Sequence, residues 1–187
     1  MLDSLEMIKL HLGCGSKQIP GFVNIDINWT PAVDQVCDIS QLTIFEDASV
    51  DMIYACHVLE HFGRHEFTTV IKEWHRVLRV GGLLRLSVPD FAACAGIYQD
   101  KGIDDIQLIT GLMVGGQRNE YDYHKMIFDQ QSLTKHLTNM GFGQVERWDW
   151  RTTEHSHIDD YSQAYLPHMD REHGRLMSLN LECRRVL

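Results

Sequence analysis

The chain has no run of 18 or more apolar residues, so no membrane-spanning helix is expected. Its first ten residues, MLDSLEMIKL, lack a basic region followed by an apolar stretch, so no secretory leader is expected either. Dense Lys and Arg clusters are missing and the formal net charge is -9. That argues against general nucleic-acid binding, because neutralising phosphates needs concentrated cations. No Cys-x-x-Cys pair occurs. The five cysteines, Cys14, Cys37, Cys56, Cys94 and Cys183, are scattered and odd in number. They read as reduced thiols in a cytoplasm. With no internal repeat, low-complexity tract or linker, residues 1–187 read as one domain with enough chain to bury a core.

What is present is a series of short apolar runs bounded by turn residues. Ile8–Leu12, Phe22–Ile27, Gln35–Ile39, Val50–Cys56 and Leu83–Val88 read as strands of a parallel sheet. Between the last two, Phe67, Val70, Ile71, Trp74, Val77 and Leu78 step by three and four and form one apolar helical stripe. The sequence RVGG should end that helix, with Gly81 as its cap. Asp90 can cap a helix over Phe91–Gln99 and Asp129 one that runs to Met140. Residues 101–128 are the least regular part, because Gly111, Gly115 and Gly116 should interrupt any helix. Phe142–Trp150 and Ser178–Val186 read as strands six and seven.

The stretch LHLGCGSKQIPGFVNIDIN carries the first chemistry. Gly13 and Gly15 let the chain turn sharply at a strand end and let a ligand approach main-chain N–H groups. Asp26 ends the next strand at the same edge, where a carboxylate accepts hydrogen bonds from a vicinal diol such as a ribose. Dinucleotide enzymes share this pairing but want a third glycine, where Gln18 stands, and a helix N-terminus for the pyrophosphate. Only Lys17–Phe22 lie between turn and strand, with Pro20 and Gly21 among them, so no ordinary helix fits. An amino-acid carboxylate asks for less, a few turn amides and Lys17.

With LHLGCGS, the acids of NIDI and VCDI, SVDMIYACHVLEHF and EWHRVLRVGGLLRLSVPD in place, the chain resembles a class I S-adenosylmethionine-dependent methyltransferase of the small-molecule type. The resemblance covers residues 8–90 in detail and the remainder in outline. It implies a Rossmann-like three-layer α/β sandwich around a seven-stranded, mostly parallel sheet in the order 3-2-1-4-5-7-6. Here the helix after strand one is short or missing. It also implies S-adenosyl-L-methionine as cofactor. Leu12, Gly13, Cys14 and Gly15 would then border its methionine part, and Asp26 and Ile27 would hold the ribose. Asp38 and Ile39 would take the adenine, while Cys56 and His57 would lie beside the transferable methyl. His11 stands where the family often has an acid. With little chain ahead of strand one, a substrate lid is expected from residues 101–128, with 151–175 as second choice.

Methyl transfer needs a base only when the acceptor is a hydroxyl or a protonated amine. His57, Asp90 and His124 are the catalytic candidates, with His61 and Tyr121 behind them. The acceptor is expected to be a small or carbohydrate-like molecule methylated at oxygen. HVLEH (His57–His61) also spells the inverted zinc-protease pattern. Its first histidine follows a strand directly and no distal ligand stands out, so no metal centre is expected. HSHIDD (His155–Asp160) reads as a solvated loop, Trp74, Trp148 and Trp150 as packed side chains, and Trp29 as a possible flank of the adenosine. Two rivals remain: an NAD(P)-dependent oxidoreductase, for which Tyr121 and Lys125 have the Tyr-x-x-x-Lys spacing, and a non-catalytic cofactor-binding module.

Overall fold

The computed structural model describes residues 7–100 and 103–186. Residues 1–6, most of the segment read above as lacking a leader, lie outside the described residues. So do residues 101–102, the first two of the lid candidate, and Leu187.

Strands β1 (Lys9–Leu12), β2 (Val23–Asp26), β3 (Gln35–Val36) and β4 (Val50–Cys56) come first. Helix α1 (Phe67–Val77) leads into β5 (Leu78–Pro89). Then come α2 (Phe91–Gln99), α3 (Gln107–Val114), α4 (Gln130–Asn139) and β6 (Phe142–Arg147). A two-stranded ribbon, β7 (Tyr165–Leu166) with β8 (Arg175–Leu176), precedes the last strand, β9 (Ser178–Arg185). The main sheet runs β3-β2-β1-β4-β5-β9-β6. All its pairs are parallel except those of β9, which is antiparallel to β5 and β6. This is the expected order, with the C-terminal strand inserted between the fifth and sixth.

Helix α1 buries the stripe read from the sequence. Phe67, Val70, Ile71, Trp74 and Val77 are all buried, and Trp74 Nε1 donates to the Ile39 carbonyl at 2.9 Å. The helix stops at Val77, earlier than RVGG suggested, because Leu78 turns extended and pairs with Val50. Gly81 therefore lies in the irregular stretch of β5, where the register against β4 breaks, and is no helix cap. Asp90 caps α2 through bonds from the Ala92 and Ala93 amides, and Asp129 makes a capping box with Ser132. Gly111 is accommodated inside α3, against expectation, and Gly115 ends that helix.

The two faces of the sheet are covered differently. Helices α1 and α4 bury Ile71, Trp74, Leu133 and Leu137 against Leu10, Leu12, Ile53 and Leu181 on one face. The opposite face presents Met52 and Tyr54, as strand alternation requires, and meets Ile19, Phe22, Trp148, Trp150 and Tyr165. Its cover is largely irregular chain. The stretch HSHIDD belongs to that cover and is not a solvated loop. His155 is buried with its ring 4.3 Å from that of Tyr54, and Tyr54 Oη donates to Asp160 at 2.6 Å.

Candidate active site

No helix joins β1 to β2. The chain passes through turns held by the buried Asn24, whose carbonyl accepts from the Ile19 amide at 2.9 Å. The Asn24 amide nitrogen donates to the Ile19 and Phe22 carbonyls and to Asp34. His11 joins this network at 3.0 Å and stacks on Tyr54. Burial lowers its pKa, so it is neutral near pH 7. His11 thus takes the space of a family acid as a packed imidazole.

Gly13 and Gly15 both have positive φ, 65° and 55°. A Cβ on Gly13 would collide with Val58, whereas one on Gly15 would meet open space. The Gly15 N–H donates to Asp26 Oδ2 at 2.8 Å, Asn28 N–H donates to Asp26 Oδ1 at 2.9 Å, and Thr30 Oγ1 donates to the Gly15 carbonyl at 2.6 Å. Turn and acid therefore form one braced edge. A carboxylate has about four acceptor positions, so Asp26 keeps capacity for further donors.

That edge borders a cavity of about 1030 Å³. Gly13, Cys14, Gly15, Asp26, Ile27, Asp38, Ile39, Cys56 and His57 all line it. Leu12 does not: it is fully buried in the core beneath the helices. Trp29 is 73% exposed and also outside the lining, so it flanks nothing there. The far wall comes from both lid candidates, through Leu112, Arg118 and Tyr121 on one side and Asp160, Tyr161 and Tyr165 on the other. Segment 115–128 is docked by its backbone, with Lys125 and Met126 amides donating to the Glu60 carbonyl at 2.8 and 3.1 Å. It is loop between α3 and α4, so Tyr121 and Lys125 share no helix face as the oxidoreductase reading requires.

Of the three catalytic candidates, Asp90 is corrected. It is buried as the α2 cap, sits 3.4 Å from Arg147, and does not line the cavity. His57 follows β4 in a left-handed conformation, φ 53°, a strained placement held by its N–H bond to the Ser87 carbonyl at 2.8 Å. Its Nε2 lies 2.8 Å from Ser178 Oγ and its Nδ1 3.5 Å from Glu60 Oε1. Both nitrogens face protein groups, so His57 is poorly placed as a free base. Burial pushes its pKa down to about 3. His124 lies behind the wall, with Nδ1 2.9 Å from the Leu112 carbonyl and Nε2 3.9 Å from Glu60 Oε1.

Glu60, the acid of HVLEH, is not among the catalytic candidates. It is fully buried, neither carboxylate oxygen has a hydrogen-bond partner, and burial pushes its pKa up to about 8. The pattern HVLEH was the available signal. Asp160, Tyr161 and Ser178 were also missed, because only folding brings them to the β4 edge.

An open α/β sheet with a glycine turn, a strand-end acid and a cavity beyond its strand ends is the arrangement in which such sheets place nucleotide-type ligands. Residues 20–86 match the family described as methyltransferase domain. No curated protein sequence matches significantly. Among solved structures, the chain is similar to an S-adenosylmethionine-dependent methyltransferase from Archaeoglobus fulgidus, with 13% identity over 96% of this chain and 86% of that one and a TM-score of 0.58. It is similar to a Burkholderia thailandensis 1,6-didemethyltoxoflavin-N1-methyltransferase, with 15% identity, coverage of 96% and 71%, and a TM-score of 0.58. A third is a methyltransferase from Methanosarcina mazei, with 18% identity, coverage of 97% and 94%, and a TM-score of 0.56. At such identities these likenesses establish the fold. The match over residues 20–86, about a third of the chain, is to a methyltransferase domain and agrees with that fold.

Proposed function

We propose that the chain moves the methyl group of S-adenosylmethionine to an oxygen of a small, carbohydrate-like acceptor. The observation that carries this reading is the Gly15–Asp26 hydrogen bond, 2.8 Å, which fuses glycine turn and strand-end acid into one edge of the cavity. The residues fit the cofactor. Open space stands where a Gly15 side chain would be, and Asp26 retains lone pairs for a ribose diol. Asp38 and Ile39 line the cavity beyond, for the adenine, and Cys56 lines it next to the glycine turn. With its thiol pKa raised well above the ordinary range by burial, Cys56 is an uncharged wall and not a competing nucleophile.

When bound, the cofactor supplies an activated methyl and its own leaving group. What remains for the chain is to align the acceptor and exclude water. Of the two lid candidates, residues 103–128 and 151–175 act as the acceptor lid. Their cavity-facing side chains, Arg118, Tyr121, Asp122, Asp160, Tyr161 and Gln163, mix aromatic surface with donors and acceptors, as a polyhydroxylated ligand needs. The names of similar structures include an N1-methyltransferase and a carbon methyltransferase, so the preference for oxygen rests on this wall alone.

Calorimetry with S-adenosylmethionine, S-adenosylhomocysteine, NAD and NADP tests the reading. Binding of the first two alone is expected. Binding of NAD alone would return the oxidoreductase, and silence from all four would leave a non-catalytic module. With the cofactor site established, methyl transfer to a panel of hydroxylated sugars, set against amines, tests the acceptor.

A further inference from the structure

In sequence HVLEH has no distal ligand, and folding supplies one. His124, from the segment after α3, closes on Glu60 and His61, and one ligand atom from each of the three lies within 4.8 Å of the others. His57 adds a fourth group, 3.5 Å from Glu60 Oε1.

Hydrogen bonding fixes where the lone pairs are. His124 Nδ1 faces the Leu112 carbonyl and His61 Nδ1 the Tyr123 carbonyl at 3.2 Å; a carbonyl only accepts, so each Nδ1 carries the proton. Ser178 Oγ gives its proton to the Tyr161 carbonyl, so it accepts from His57 Nε2–H. Each ring keeps one bare nitrogen. Those of His57 and His124, Nδ1 and Nε2, face Glu60 Oε1, and neither Glu60 oxygen has a donor. A buried group of acceptors without a donor is costly, and a proton on Glu60 could serve only one of them.

We propose that Glu60, His61 and His124, with His57, form a binding site for one divalent first-row transition ion, zinc being the best fit. Three imidazoles and a carboxylate suit zinc and its neighbours and not magnesium or calcium, which want oxygen ligands. Ring nitrogens held by carbonyl or hydroxyl partners on their far side are the arrangement that orients metal ligands. Tetrahedral zinc with bonds of 2.0–2.1 Å sets its ligand atoms about 3.4 Å apart; the contacts of His57 and His124 to Glu60, 3.5 and 3.9 Å, lie near that, and the wider spacings of the trio, up to 4.8 Å, close by side-chain rotation about the ion. His57 and His61 also line the cavity, which puts the ion at the wall facing the acceptor. There it clasps the 115–128 segment to the end of β4.

The test is zinc titration of chelator-treated protein by calorimetry, with cobalt(II) absorption as a second readout. One ion per chain is expected, with affinity at least tenfold lower in Glu60→Gln and in His124→Gln. His157→Gln, at an exposed histidine outside the group, should bind as the parent does. Zinc should also raise the melting temperature of the parent but not of Glu60→Gln, whose folded state is checked without metal by circular dichroism. No stoichiometric binding, equal binding by parent and Glu60→Gln, or loss of binding in His157→Gln would each overturn the site. Affinity for S-adenosylhomocysteine is measured separately, so this site can fail while the cofactor reading stands, and the reverse.

Discussion

The two faces of the sheet solve the same burial problem by different means. Beneath α1 and α4 the contacts are aliphatic and aromatic, and the one polar group of Trp74 is satisfied by the Ile39 carbonyl. Beneath the irregular 148–166 chain the layer is half polar. Tyr54 bonds Asp160, Asn180 bonds Ser162, and Gln163 bonds the Ser156 and Ile158 carbonyls. Helices satisfy their own backbone, so they can cover a sheet with apolar side chains alone. Irregular chain cannot, and its carbonyls and amides must be met by side chains. The polar face is therefore the one that can also offer a ligand specific contacts.

The largest effect expected is on the helical face. Trp74→Ala should cost about 3–5 kcal/mol of stability, read by urea unfolding, through lost packing and the cavity left behind. A loss below 1 kcal/mol would mean that this face is not the main support.

Acid should strike the other face. Burial holds His155 down to about 4 from an ordinary 6.5, and neither of its nitrogens has a partner. Its protonation is then easier in the unfolded chain. Its contribution is whole above pH 6.5 and lost as pH falls towards 4, by about 3 kcal/mol in all. Thermal melts from pH 7 to pH 4.5 should show the decline, and His155→Phe should flatten it. An equally steep decline in that variant would move the cause elsewhere.

At the edge where the faces meet, substitutions should alter binding more than stability. Asp26→Ala should weaken S-adenosylhomocysteine binding by about 1.5–3 kcal/mol, the worth of charged hydrogen bonds. Unchanged affinity would remove Asp26 from the site. Smallest is Thr30→Val, which deletes the brace on the Gly15 carbonyl and should cost about 0.5–1.5 kcal/mol in the same titration.

Much of the sheet was legible. Val50–Cys56 and Phe91–Gln99 fall where the pattern put them, because apolar period and a capping aspartate act within a few residues. Gly111 misled, since a glycine costs a helix only about 1 kcal/mol, which flanking apolar contacts offset. Asp90 misled differently: a strand-end acid serves a ligand or a helix cap equally well in sequence, and its Arg147 partner lies 57 residues away.

By itself, then, the sequence determined the strand series, the stripe of α1, and the helix-free turn joining Gly15 to Asp26. Each follows from steric and periodic rules that neighbouring residues impose on one another. Only the tertiary structure decided that His124 would reach Glu60, that HSHIDD would roof Tyr54, and that Asp160 and Tyr161 would face the glycine turn. Those meetings join residues from 64 positions apart, for Glu60 and His124, to 148, for Gly13 and Tyr161. They depend on how the antiparallel β9 and the loops before it settle onto the sheet, and no local pattern records that.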